Sequence, residues 1–384
     1  MRMKKTLILA AVAAIAAVGC TKTYHQVDPA TQGPAIGFGT WTETLTKAHD
    51  PGATTNFAVG DNFNVYGTKL VESTPSDVFT GTVVTKTALS PETWTYSPTR
   101  FWDPNATSYT FYAVAPAGLL DGTNASATTA GAFTSEPIEF LGGDSNKSDI
   151  KDILVAAKTT VTKTGDPAAF ISPVNLPFHH IASLVDLKVQ KHNDLELTGE
   201  DENNYIKVAV TAISLTNIDG NGHFTVSTYG DSSPFAPVTS ASTWTEETGA
   251  AKKTYNHTSG YETVTLPTDV NAVSATSPNA LITKLVAMPQ AFRTDNVADQ
   301  TVNITYTIET CEGGNSSTTT VNTSFDLKEF DKAQDYTNTE ANYIASWLPG
   351  THYTYIITIG ANAITFNATI QEWATDTGYH YLLQ

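Results

Sequence analysis

The sequence predicts an all-β protein, on three observations. Charged residues make up only 15% of the 384 residues, while Thr, Ser and Asn are plentiful, a composition suited to half-buried strands and turns rather than salt-bridged helices. Aromatic and β-branched residues recur at strand spacing, as in Tyr109–Ala115 (YTFYAVA). No long window carries a sustained helical stripe; the nearest, Ala333–Trp347, is interrupted by Thr and Asn and runs into Pro349-Gly350. Many short strands divided by frequent turns point to sandwiches, and no repeat period suggests a propeller or solenoid.

The N-terminus reads as an export signal. Arg2, Lys4 and Lys5 precede an apolar run, Leu7–Val18, that is too short to span a bilayer as a permanent helix, so residues 1–19 are expected to be a signal peptide. Ala17-Val18-Gly19-Cys20 looks like a lipobox, with Ala17 where Leu is usual, and makes Cys20 the expected lipid acceptor. The competing reading is an ordinary signal peptide with an incidental Cys20. The second of the two cysteines, Cys311, then has no partner within the chain, and a small buried hydrophobe is its default role. Without disulfide staples the protein relies on its core, which a chain of this length can build.

A polar tether, Thr21–Pro34, leads to a first strand expected over Ala35–Leu45, where Ile36 and Phe38 share one face before the apolar face changes over to Trp41 and Leu45. Lys47–Gly52 reads as an exposed turn. Strands are then expected at Asn62–Tyr66, Tyr109–Ala115 and Asp152–Ala157, and over Leu184–Gln190, where polar residues alternate with Val185, Leu187 and Val189. His192–Asn204 is polar and acidic and reads as a long loop or linker. Tyr205–Leu215 and His223–Thr228 flank Asp219-Gly220-Asn221-Gly222, which predicts a hairpin. Further strands are expected at Tyr261–Leu266, Leu281–Met288, Thr301–Ile308, Tyr353–Ile359 and Ala363–Ile370.

Chemistry-bearing motifs are scarce. The formal net charge is −17, and it becomes more negative once a basic leader is removed, so nucleic acid and anionic lipid surfaces are poor partners. Asn217–Gly222 resembles the opening of a calcium loop, but Thr228 stands where the closing carboxylate belongs. His179 and His180 are adjacent, so on a strand they point to opposite faces and cannot share a metal. Hydrolase elbows and phosphate or dinucleotide loops are missing. No cofactor, metal site or catalytic residue is expected, and the chain reads as no enzyme. A glycosidase pair among the carboxylates of Asp194–Glu202 stays the catalytic alternative. The six tryptophans are expected mostly in the core, with sugar stacking by an exposed pair as the alternative.

Several local patterns together resemble the fimbrillin-like lipoproteins of Bacteroidales (type V pilins). They are the lipobox, YTFYAVAP at Tyr109–Pro116, DILVAA at Asp152–Ala157, VNLPFHHIASLVDLKV at Val174–Val189, LPGTHYTYIITI at Leu348–Ile359 and ITFNATIQEW at Ile364–Trp373. The resemblance implies two tandem β-sandwich domains of transthyretin-like type, placed at 48–175 and 176–384, behind a tether and removable first strand at 20–47. It implies a fimbrial subunit anchored in the outer membrane by lipid on Cys20 and cut by a surface protease after a basic residue. The slot so opened is filled by a strand of another pilin subunit. The family's Arg is replaced here by Lys47, before Ala48; if that bond stays intact, the chain is an anchor or a non-polymerising lipoprotein. The extreme C-terminus, 375–384, alternates Tyr379, Tyr381 and Leu383 and is the candidate donor strand, while Ile364–Ile370 is expected to complete its own sheet. The resemblance also implies adhesion to a ligand on a host or bacterial surface. The alternative function is a glycan-binding surface lipoprotein that does not polymerise.

Overall fold

The computed structural model describes residues 33–42, 57–119, 135, 137–140, 143–144, 153–165, 168–195, 197, 200–224, 244–257, 264–265, 280–293, 299–329, 344–361 and 364–372. Among these the chain is all-β, apart from single 3-10 turns at Asn193–Leu195 and Leu327–Glu329. Its first strands are β1 (Phe38–Thr42), β2 (Asn62–Val71), β3 (Thr74–Leu89), β4 (Glu92–Thr95), β5 (Ser108–Ala115), β6 (Ile138–Glu139) and β7 (Gly143–Asp144). There follow β8 (Leu154–Thr162), β9 (Val174–His180), β10 (Ser183–Lys191), β11 (Tyr205–Ile218), β12 (Asn221–Phe224), β13 (Trp244–Glu246), β14 (Lys253–His257) and β15 (Val264–Thr265). The last are β16 (Ala280–Ala287), β17 (Gln290–Ala291), β18 (Thr301–Glu312), β19 (Asn315–Asp326), β20 (Ser346–Trp347), β21 (Thr351–Ile359) and β22 (Ile364–Glu372).

A seven-stranded sheet has the order β1-β9-β8-β5-β2-β3-β4. All its pairings are antiparallel except the one that adds β1 to β9. Its central strand β5 is buried on both faces, which explains that strand's nearly continuous apolar run, while β3 and β4 leave one face largely exposed. In β5, Tyr109, Phe111 and Ala113 enter one cluster with Phe63, Phe79, Trp94 and Phe178. Tyr112 and Val114 enter another on the opposite face, with Val155, Leu184, Phe224 and Trp244.

The chain leaves this sheet between β9 and β10 through Ile181 and Ala182, neither of which is exposed at all. From there it enters a four-stranded sheet, β16-β10-β21-β22, in which β10 and β21 are parallel. Val185, Leu187 and Val189 of β10 and Tyr353, Tyr355 and Ile357 of β21 face a third cluster, completed from β11, β14 and β18 of a second sheet. That sheet runs β19-β18-β11-β14-β7, with β15 also on β11. Leu184 and Val286 point from the four-stranded sheet the other way, into the cluster shared with the seven-stranded sheet. There the indole N–H of Trp244 donates to the Ile181 carbonyl at 2.7 Å. The expected strand Ile364–Ile370 does complete its own sheet, as β22 against β21.

The expected hairpin across Asp219–Gly222 does not form. β11 pairs with β14, β15 and β18, whereas β12 pairs with β6 and β13. The glycines serve close approach rather than a tight turn: a Cβ on Gly220 would lie 2.1 Å from Lys253 Cγ, and one on Gly222 2.6 Å from the Thr245 carbonyl. The loop is a crossover between sheets, pinned by Asp219, which is only 8% exposed. Its N–H donates to Gln290 at 2.9 Å and its carboxylate pairs with Lys252 and Arg293. Two cationic side chains therefore take the carboxylate that the calcium-loop resemblance would have used. His192–Asn204 connects β10 to β11 and buries Leu195.

Burial raises the phenol pKa of Tyr66, Tyr96, Tyr109, Tyr255, Tyr306 and Tyr355, and lifts that of Tyr353 to about 12. The folded chain therefore holds protons that the unfolded chain releases above its ordinary tyrosine pKa of about 10. Stability from this source is complete below about pH 10 and is lost as pH rises toward about 12. An alkaline titration is expected to show phenolate absorbance rising together with loss of circular dichroism; ionisation of all the tyrosines near pH 10 without unfolding would contradict the burial.

Candidate functional site

The first strand occupies a slot at one edge of the seven-stranded sheet. β1 pairs in parallel with β9, from Phe38 opposite Val174 to Thr42 opposite Phe178; no other described strand is hydrogen-bonded to it, although β4 lies close by. Edge strands can leave without breaking the pairings between other strands. What holds this one is a row of backbone bonds and two apolar side chains.

Upstream of β1 the backbone is clamped on two sides. Gly33 N–H donates to the Trp102 carbonyl at 3.1 Å, Trp102 N–H to Pro34 at 3.0 Å, and Ile36 N–H to Arg100 at 2.9 Å. Gly33 is needed there, since a Cβ would meet the Trp102 carbonyl oxygen at 2.6 Å. Opposite, the Ser172 hydroxyl donates to the Ala35 carbonyl at 3.0 Å and accepts from Gly37 N–H at 3.2 Å and Trp102 Nε1 at 2.9 Å. One hydroxyl thus uses its donor and both acceptor positions. The Tyr96 hydroxyl adds a bond to the Ile36 carbonyl at 2.6 Å, and burial keeps this phenol protonated beyond the usual range.

The two knobs are Ile36 and Phe38, 1% and 5% exposed. The Phe38 ring meets Phe79, Tyr96, Phe111 and Phe63 edge-on at centroid distances of 5.4, 5.6, 5.8 and 6.2 Å. Each fully buried large apolar side chain contributes roughly 1.5–3 kcal/mol by transfer alone, with a further gain from edge-on aromatic pairs. Withdrawal of this segment would leave two apolar pockets and an unpaired edge on β9.

The Fimbrillin-like family profile matches residues 46–373. The chain belongs to the fimbrillin-like family. The match begins at Thr46, so this fimbrillin-like chain keeps β1 outside the matched stretch and the slot around it inside. Among solved structures, the chain is similar to a fimbrial protein of Bacteroides vulgatus at 18% identity, covering 88% of this chain and 99% of that one, with a TM-score of 0.56. A protein of Bacteroides uniformis described as a cell adhesion candidate matches at 16% identity, covering 88% of this chain and 98% of that one, with a TM-score of 0.45. No curated protein sequence matches.

Cys20, Lys47, Ala48, Tyr379, Tyr381 and Leu383, together with the whole of 375–384, lie outside the described residues of this fimbrillin-like chain. Ile36 and Phe38 were legible as a shared face. Ser172, Tyr96 and Trp102 were not, because their role rests on contacts as distant as the 137 residues between Ala35 and Ser172. Of the tryptophans, Trp94, Trp102, Trp244 and Trp347 are core residues, while Trp41 and Trp373 fall outside the described side chains. No group of three or more metal-ligating side chains occurs among the described residues.

A second concavity of about 400 Å³ lies on the outer face of the β19-β18-β11-β14 sheet. Register sets Ser214 between Asn256 and Asn303, Asn303 beside Ser324, and Thr305 beside Asn322. The shift in pairing between Val210 and Ala212 bends β11 locally, as bulges do. The lining carries amides and hydroxyls but no charge.

Phe38→Ala is expected to destabilise the uncut chain by about 3–5 kcal/mol, and Ser172→Ala by about 1 kcal/mol, measured by denaturant unfolding. Equal stability of Phe38→Ala and the parent would mean that β1 is not seated in this core.

Proposed function

We propose that the chain is a structural, non-catalytic subunit of cell-surface fimbriae, exported as an outer-membrane lipoprotein through Cys20. A protease cuts between Lys47 and Ala48 and releases the segment that carries β1. The vacated slot then accepts a strand from another subunit, with 375–384 as the donor. The observation that carries this reading is β1 itself. It is an edge strand, joined to the sheet by one parallel pairing, yet it supplies Ile36 and Phe38 to the core. A strand with that combination can be removed without dismantling the sheet, and its loss creates a strong demand for a replacement. Family membership and the start of the family match at Thr46 support the same reading.

The deciding measurement is the mature N-terminus, by intact-mass analysis of protein sheared from native cells. A chain starting at Ala48 is expected, and Lys47→Ala should abolish both that species and polymer. A chain that starts only at acylated Cys20 would refute the polymerising role and leave an anchor subunit.

The uncharged groove on the outer sheet favours one second reading, a glycan-binding surface lipoprotein. Amide and hydroxyl side chains match the hydroxyls of a neutral saccharide, and the volume lies within the range of ligand sites. On this reading the chain is retarded on polysaccharide gels and Asn303→Ala with Asn322→Ala removes the retardation; unretarded migration through a panel of neutral polysaccharides would discard it.

A further inference from the structure

β18 and β19 form a hairpin of twelve paired positions in unbroken register, from Thr301 opposite Asp326 to Glu312 opposite Asn315. It is closed by Gly313 and Gly314 at φ +57° and +79°, the left-handed pair that a tight two-residue turn requires. β19 ends its sheet, and no described strand pairs with its outer edge. Residues 315–320 are all exposed. In an antiparallel strand every second residue directs its N–H and C=O away from its partner, so this edge offers a long row of pairing groups.

Sheet edges are normally blunted by shortness, bulges, Pro or charge, Lys above all. Most of the other described edges follow that rule. β1, β4, β6, β7, β13, β17 and β20 have two to five residues, and β16 pairs with β10 through register shifts. β22 is the exception, straight like β19 and with one charge, Glu372, at its far end, but it is shorter. β19 has none of these devices: its sequence, NSSTTTVNTSFD, contains no Lys, Arg or Pro and a single charge, Asp326, at the far end.

We infer that the outer edge of β19 pairs with the same edge of a second copy of the chain, antiparallel and about a two-fold axis. Self-complementarity selects this occupant, since the Ser, Thr and Asn side chains of the strand both donate and accept hydrogen bonds. Copies with a net charge of −17 repel over most of their surfaces, while residues 315–325 of β19 carry no charge. A two-fold axis normal to the sheet sets residues of the same face opposite one another. Centred on Thr320, it places Thr318 opposite Asn322 and Asp326 opposite Gly314. Centred on Val321, it places Thr318 opposite Ser324 and Asp326 opposite Ser316. In both registers Asp326 avoids its own copy, and hydroxyls and amides meet across the strands, as favourable cross-strand pairs do. The contact is isologous and closes at two. It joins subunits side to side and is independent of the β1 slot.

The test uses the uncut chain, whose slot is filled by β1, so that association reports the edge and not strand exchange. Sedimentation equilibrium of this chain is expected to show a concentration-dependent dimer. Thr320→Lys and Thr320→Glu should each weaken it by about tenfold or more, because both registers bring the two copies of residue 320 opposite or diagonal to one another. A one-to-one mixture of these two variants should dimerise at least as well as the parent, which only a symmetric contact at this position produces. A parent chain that stays monomeric at high concentration overturns the inference. So does a dimer that both variants leave unchanged, or a mixture of folded variants that fails to re-associate.

Discussion

Burial of both faces of the seven-stranded sheet at its centre is the constraint from which the rest follows. One face packs an aromatic cluster and the other packs the cluster shared with the second half of the chain. A sheet covered in this way can gain or lose strands only at its edges. β4 closes one edge and β1 the other. β1 is joined by a single pairing, yet it sends Ile36 and Phe38 inward. Its removal therefore exposes apolar surface and backbone groups together, a state that water solvates poorly and a matching strand relieves.

The corner at Ile181 and Ala182 has the opposite character. The chain crosses between sheets there without a loop, both residues are fully buried, and Trp244 donates to the Ile181 carbonyl. Phe140, Phe224, Val286 and Met288 add to the same cluster. Apolar contact and a buried hydrogen bond thus couple the two halves closely. A change at the β1 slot is carried by one side of this interface only, since the slot belongs to the cluster on the sheet's other face.

Polar groups mark where the chain changes direction. Asp219, with Lys252, Arg293 and Gln290, holds the crossover from β11 to β12. Ser172 ties together Ala35, Gly37 and Trp102. Such groups are affordable in a part-buried setting because each finds its partners. The outer face of the second sheet differs, with neutral amides and hydroxyls spread over four strands rather than concentrated at a turn.

By itself the sequence determined that the protein is all-β and placed several of its core strands, β5, β10 and β21 among them, but not β3, β4 or β14, which also enter the cores. Period-two alternation over Leu184–Gln190 and the shared face of Ile36 and Phe38 are local properties, and local properties survive in a one-dimensional reading. Three features emerged only with the tertiary structure. The Asp-Gly-Asn-Gly run reads as a hairpin, but packing against Lys253 and Thr245 uses its glycines for clearance and sends β12 to another sheet. The β2–β3 hairpin turns at Glu72 and Ser73, both at positive φ without a glycine to announce it. β19 is Ser- and Thr-rich on both faces and leaves no apolar period, so Gly313-Gly314 is its one local sign. The β2–β3 turn is local but lacks a turn residue to mark it; the other two share a physical reason. Periodicity records what a strand buries, whereas pairing partners and edges depend on contacts between residues far apart in the chain, which no short window contains.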